Sequence, residues 1–147
     1  VIESEERLLA VLNSAPMIEG RVVETLDDPR MVRVRDRLQA VIRGDADATT
    51  LAPYLRGVKQ RPTLTPDGIE WELESPPDGA DYSGLVLEWA RLQEESPGRL
   101  RPCANPECTK FLIDHSKPNT ARWCSMATCG NRMKARRHYA RRSAQDA

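Results

Sequence analysis

The chain has 147 residues, 39% of them hydrophobic and 30% charged, the make-up of a globular protein rather than a fibrous or broadly disordered one. No stretch approaches the roughly 18 consecutive apolar residues of a membrane span. The opening Val1-Ile2-Glu3-Ser4-Glu5-Glu6 lacks the basic leader and apolar core of a secretory signal, so a cytoplasmic protein with no membrane partner is expected.

A chain that opens on Val1 rather than Met is further expected to begin inside a longer or processed product. Its net charge of zero hides a division. Residues 1–98 hold 11 Lys and Arg against 19 Asp and Glu, whereas residues 99–147 hold 11 against 3. Such asymmetry points to a tail that meets a polyanion and a body that does not. All four cysteines and both histidines lie in the basic part, and Glu95-Ser96-Pro97-Gly98 supplies helix-breaking residues at the change. Two domains, 1–98 and 99–147, are therefore expected.

The first predicted element is a short amphipathic helix over 4–15, with Leu8, Leu9, Val11 and Leu12 at helical spacing and Asn13-Ser14-Ala15-Pro16 as its stop. A stronger helix opens at Asp28, a capping residue followed by Pro29 at the first helical position, and closes at Gly44. Met31, Val34, Leu38, Val41 and Ile42 form its apolar stripe. Arg33, Arg35, Asp36, Arg37 and Arg43 make the other face, whose mixed signs read as solvated surface. A third helix is expected from Asp47 or Thr49, with Leu51, Leu55 and Val58 at i, i+4 and i+7, ending before Pro62. The period then changes to two. Thr63-Leu64-Thr65, a Pro66-Asp67-Gly68 turn and Ile69 to Glu74 spell a β-hairpin with one buried face, leaving Glu70, Glu72 and Glu74 toward solvent. With no His or Ser partner nearby, those carboxylates read as surface rather than acid/base machinery. A loop over 75–79 leads to a fourth helix from Tyr82 to Glu95, with Leu85, Val86, Trp89 and Leu92 inward. Trp71 and Trp89 are assigned to core packing.

The cysteines fall as C-x4-C-x15-C-x4-C at Cys103, Cys108, Cys124 and Cys129. Two matched pairs separated by a short loop are what a tetrahedral thiolate site requires, each pair wrapping one side of the ion. Soft thiolates favour one zinc ion over magnesium or calcium, with an iron–sulfur cluster as the weaker option. Two disulfides are the alternative, disfavoured where thiols are kept reduced. Four thiolates close the shell and leave no site for water or substrate, so the ion is expected to be structural. The segment carries little apolar material beyond Phe111, Leu112, Ile113, Trp123, Met126 and Met133, so metal binding worth on the order of 10 kcal/mol has to complete its folding. Cys108→Ser is accordingly expected to unfold the tail and leave residues 1–98 helical. Asn105-Pro106 reads as a tight turn, Phe111-Leu112-Ile113 as a short strand, and Ser125 as the cap of a helix running to about Arg142, an arrangement of treble-clef type. His115 reads as a loop residue or phosphate contact, His138 as surface.

After Cys129 come Arg132, Lys134, Arg136, Arg137, Arg141 and Arg142 without one acid through Arg142, so no i, i+4 partner of opposite sign exists. Arg132, Arg136 and Tyr139 line one side, Lys134, Arg137 and Arg141 a neighbouring one, and Met133 and Ala140 the narrow inner face. Guanidinium groups fit phosphates and guanine edges, which makes DNA or RNA the natural partner. Arg132 and Arg136 are candidates for groove contact, Lys134, Arg137, Arg141 and Arg142 for phosphates, and Lys117 and Arg122 for flanking clamps. A tail that contacts the acidic N-terminal part of this or another subunit is the alternative.

The run Arg122-Trp123-Cys124-Ser125-Met126-Ala127-Thr128-Cys129-Gly130-Asn131-Arg132, followed by Lys134-Ala135-Arg136-Arg137, resembles the CGNR zinc-finger family of bacterial proteins. The upstream Cys103, Cys108, Phe111, Asp114 and Ser116-Lys117 resemble its pattern too. The resemblance implies that all four cysteines bind zinc and that the protein is a stress-related transcription regulator that binds DNA through this module. Residues 1–98 resemble the ABATE domain of such proteins in Leu12-Asn13-Ser14, the helix from Asp28 and the hairpin ending Trp71-Glu72. That implies a mixed α/β domain sensing stress or a small-molecule effector, or serving dimerisation.

The expected architecture is α+β: a mostly helical N-terminal domain with a small β-hairpin or sheet, then a four-cysteine zinc module with a basic C-terminal helix. The expected function is DNA-binding regulation, with a homodimer supplying two readers. A zinc-dependent protein-interaction module and an RNA-binding protein are the rival readings. RNA binding calls for exposed stacking aromatics, of which Tyr139 is the candidate. With no nucleophile and base pair and no open metal site in sight, an enzyme is not expected.

Overall fold

The computed structural model describes residues 2–146. Local chemistry sets the ends of its helices. α1 (Ile2–Leu12) stops at the Asn13-Ser14 turn, where the Ser14 hydroxyl donates to the Val11 carbonyl at 2.6 Å. α2 (Pro29–Arg43) starts where the Asp28 carboxylate accepts from the Arg30 N–H at 2.9 Å, and ends at Gly44, whose φ of 84° places it in the left-handed region open to glycine. α3 (Ala80–Glu95) ends at Ser96. Between α1 and α2 lies a minimal antiparallel pair, β1 (Met17–Ile18) with β2 (Arg21–Val22). A long hairpin, β3 (Lys59–Thr65) with β4 (Gly68–Glu74), precedes α3, and a short one, β5 (Leu100–Pro102) with β6 (Phe111–Ile113), follows it. A π-helical turn (Met126–Gly130) runs into the last helix, α4 (Asn131–Asp146). Among the described residues there are three sheets of two strands each. No helix among the described residues is long and apolar enough to cross a membrane.

One apolar cluster joins Leu8 and Leu12 of α1, Val34 and Leu38 of α2, Leu51 between α2 and β3, Leu85, Val86 and Leu92 of α3, and Leu100 and Phe111 of the β5–β6 hairpin. Met31, Val41, Ile42 and Trp89 pack against it as their helical spacing predicts. The change of charge near residue 98 coincides with a turn, but apolar packing runs straight across it. Phe111 is 1% exposed, and the Arg43 guanidinium from α2 sits 4.6 Å from its ring centroid.

Four expectations change. The segment expected as a third α-helix is a 3-10 helix, Ala48–Leu55, capped by Asp47. Pro53 inside it has no N–H and would clash within an α-helical interior, and Val58 falls beyond its end. Arg35 is not on a solvated face but 4% exposed. Its guanidinium donates to Glu24 at 2.5 and 2.7 Å, to Asp36 at 2.8 Å and to the Ser14 hydroxyl at 3.0 Å, so the chain after β2 folds over it. The β3–β4 hairpin is present, and longer than expected, but neither face is buried: Trp71 is 62% exposed and Leu64 81%. Alternation predicts a two-faced ribbon but not a neighbour to cover it, and the helices close the core among themselves. Ala140 is exposed, because α4 stands away from the body and has no inner face there.

Candidate functional site

The β5–β6 hairpin carries the first cysteine pair at its turn. Cys103 extends the ladder, its N–H donating to the Lys110 carbonyl at 2.9 Å. Asn105 then folds the turn twice over. Its side-chain oxygen accepts from the Glu107 N–H at 3.1 Å, and its backbone carbonyl accepts from Cys108 N–H at 3.0 Å. The second pair comes from the π-helical turn, with Cys124 just before it and Cys129 within it.

The segment linking the pairs is held by Asp114. This residue is 3% exposed, and its carboxylate accepts from the Ser116 N–H at 2.8 Å, the Ala121 N–H at 2.9 Å and the Arg101 guanidinium at 2.7 Å. The Ser116 side chain and these further donors hold the carboxyl well below the usual carboxylate range. Arg101 also donates to the Asn119 side chain at 2.6 Å and the Ala121 carbonyl, so the loop is pinned shut where it delivers Cys124.

All four Sγ atoms lie within 4.8 Å of one another, with Cys108 to Cys124 at 3.7 Å and Cys124 to Cys129 at 3.6 Å. A tetrahedron of sulfurs around zinc, with bonds of about 2.3 Å, has edges of about 3.8 Å. The four are free cysteines, and their spacing is far beyond the roughly 2.05 Å of a disulfide. Three N–H groups point at the sulfurs: Cys124 N–H to Cys103 at 3.3 Å, Lys110 N–H to Cys108 at 3.4 Å, and the Asn105 amide to Cys129 at 3.4 Å. Donors aimed at sulfur stabilise thiolate, the form that binds metal. As thiols, Cys108 and Cys124 are pushed up by burial. Burial also acts on Cys129, but hydrogen bonds from Asn105, Cys108, Cys124 and Cys103 outweigh it and bring this group down to about 7. Donor type, separation and hydrogen bonding together fit one zinc ion in a closed four-sulfur shell.

Residues 99–142 match the family model of the CGNR zinc finger. No curated protein matches the chain. Within the CGNR string itself, the glycine has a packing reason: a Cβ on Gly130 would lie 2.6 Å from Met126 Sδ and 3.1 Å from Trp123 Cδ1. A side chain at that point would displace the Met126 side chain and crowd Trp123, and glycine spares the turn that offers Cys129 that displacement. The four-cysteine module is also stitched to the body. Asn13 donates to the Phe111 carbonyl at 3.2 Å and accepts from the Phe111 N–H at 2.7 Å, imitating a strand beside β6. The Thr109 hydroxyl donates to the Ala15 carbonyl at 2.9 Å, and His115 lies 3.0 Å from Glu5 of α1.

The finger's basic residues are presented rather than packed. Lys117, Arg122, Arg132, Lys134, Arg136, Arg137, Arg141 and Arg142 are all exposed, with Arg122 stacked 5.0 Å from the Trp123 ring. Lys117 and Arg122 lie in the 114–123 loop, the other six on α4. The expectation that no acid answers this helix needs one correction: Glu107, in the first cysteine turn, reaches Arg136 at 2.5 Å. The partner is distant in sequence, which is why helical spacing misses it. Arg136 is thus the only one of the eight in an ion pair among the described residues. Sequence reasoning placed Asn105 in a turn and Asn13 at a helix stop but gave neither its contact with the cysteine module, and it did not single out Arg101. Asn105 carried a signal, an amide side chain inside a cysteine pair; for the other two the contact partners are 98 and 13 residues away.

Proposed function

We propose that the chain is a DNA-binding transcription regulator whose CGNR finger grips the duplex through α4. One observation carries this reading. A helix with Arg132, Lys134, Arg137, Arg141 and Arg142 open to solvent leaves a body of the opposite charge untouched and is anchored at its base by the four-cysteine cluster. Packing of α4 onto the acidic body would have neutralised it internally, and the helix is instead exposed along its length. A hairpin with the first cysteine pair at its turn, then the second pair at the start of a helix, supports an arrangement of treble-clef type, in which the ion holds the helix at a set angle for a groove. The role of zinc is to fix this geometry; Asn105, Gly130 and Asp114 shape the peptide that supplies its ligands. The reading is of a binding protein and not an enzyme.

In the same reading, residues 1–98 act as an ABATE-like sensor. A cleft of about 420 Å³ between α1 and β6, lined by Glu5, Glu6, Leu9, Ile113 and His115, offers an effector a place to touch body and finger together.

The test is fluorescence anisotropy of labelled duplex DNA titrated with zinc-loaded protein over a salt series. About six phosphate contacts predict a slope of log K against log salt near −5, and Arg137→Glu with Arg141→Glu should abolish binding. Salt-independent binding, or none at about 50 mM salt, rejects the DNA reading. Tyr139, 65% exposed, favours a second reading in which the helix binds single-stranded RNA by stacking. Tighter binding to single-stranded RNA than to duplex, lost in Tyr139→Ala, would favour it.

A further inference from the structure

The β3–β4 ribbon is an apolar surface with no cover. In its register, residues paired across the strands share a face: Gln60 with Leu73, Pro62 with Trp71 and Leu64 with Ile69 on one side, Lys59 with Glu74, Arg61 with Glu72 and Thr63 with Glu70 on the other. The first side exposes Leu64 at 81%, Trp71 at 62%, Ile69 at 59% and Leu73 at 47%. The second is laced by Arg61, which lies 2.9 Å from Glu72 and 3.4 Å from Glu74. An isolated two-stranded ribbon is marginal in water, and a contiguous apolar face of this kind marks an interaction site.

We infer that this face is a homodimer interface, with two ribbons packed apolar side to apolar side across a two-fold axis. Three observations select a second copy of the chain. The whole chain carries no net charge, so like meets like without repulsion between the molecules as wholes. The face is self-complementary about its middle. Pro62 and Trp71 form the central pair of the seven, so a two-fold lying across the strands there sets Trp71 against the partner's Trp71 and Pro62 against the partner's Pro62, with Ile69 of one copy meeting Leu73 of the other. The exposed surface of Leu64, Trp71, Ile69 and Leu73 is on the order of 500 Å² per copy, so two copies can bury about 1,000 Å², the threshold for a specific contact.

Charge and backbone chemistry also dictate how the copies meet. Edge-to-edge pairing through β3 is blocked by Pro62, which has no N–H to offer, and pairing through β4 would line up Glu70, Glu72 and Glu74 with the same residues of the partner. Face-to-face packing keeps every carboxylate outside. The same carboxylates turn the ribbon away from DNA and from anionic lipid.

Analytical ultracentrifugation of the zinc-loaded chain tests the inference without nucleic acid, so its outcome is separate from that of the DNA reading. At micromolar concentration the protein should sediment at twice the 16.6 kDa of the single chain. Trp71→Glu and, separately, Ile69→Asp should return it to the single-chain mass with unchanged circular dichroism and zinc content, because both side chains are already exposed. A monomer throughout the micromolar range overturns the inference. So does a dimer that both substitutions leave intact.

Discussion

Asn105 is the residue on which the metal centre turns, although it is not a ligand. Its amide donates to Cys129 Sγ and its oxygen accepts from the Glu107 N–H, and at 2% exposure neither partner can be replaced by bulk water. Asn105→Ala should weaken zinc binding by roughly 10- to 100-fold, in line with the loss of other groups that orient metal ligands. Competition with a chromophoric chelator measures this directly, and unchanged affinity would mean that the Asn105–Cys129 contact is incidental. Gly130 acts at the same scale by absence: Met126 and Trp123 occupy the space that a side chain would need. Both residues were visible in the sequence as members of a cysteine motif. Their reasons were not, because those depend on atoms brought in from across the turn.

Among the elements, α4 is defined by what does not touch it. Its backbone hydrogen bonds are local and its charge is repulsive along its own length, so it is stable only as an extension of the anchored π-helical turn. Among the described residues Glu107 is the one acid that reaches it, and it occupies Arg136, a residue expected to contact the groove. Glu107→Gln releases that guanidinium. DNA affinity should then rise, with the salt slope steepening by about 0.9 if Arg136 takes up a phosphate. An unchanged slope in the same anisotropy series would put Arg136 outside the interface. The ribbon of β3 and β4 illustrates a different limit. Its period-two pattern was read correctly as a hairpin, and the face that Trp71 belongs to was identified, but the destination of that face was not. A strand pattern reports that two sides differ; only the neighbouring elements decide whether the apolar side finds cover within one chain.

At the scale of the whole molecule, the metal centre and the body are one structure. Leu100 and Phe111 belong to the same cluster as Leu8, Leu38 and Leu85, and Asn13 is bonded to both backbone groups of Phe111. Burying Phe111 alone is worth about 1.5–3 kcal/mol. The expectation that losing a cysteine unfolds the tail alone therefore changes. Chelation of zinc should lower the melting temperature of the entire chain by on the order of 10 °C or more, in one transition followed by the helical circular dichroism signal. A separate, unshifted transition for residues 1–98 would show that the core does not couple them. What could be read from the order of residues was local: capping at Asp28 and Gly44, the apolar stripe of α2, the metal-ligand spacing and the basic run of α4. Each of these is written in neighbours a few positions apart, where backbone geometry leaves few alternatives. What folding alone decided was long-range: the burial of Arg35 under Glu24, the single core spanning both charge halves, the ion pair from Glu107 and the bare face of the ribbon. Those depend on which surfaces meet, and surfaces meet according to the packing of the entire chain.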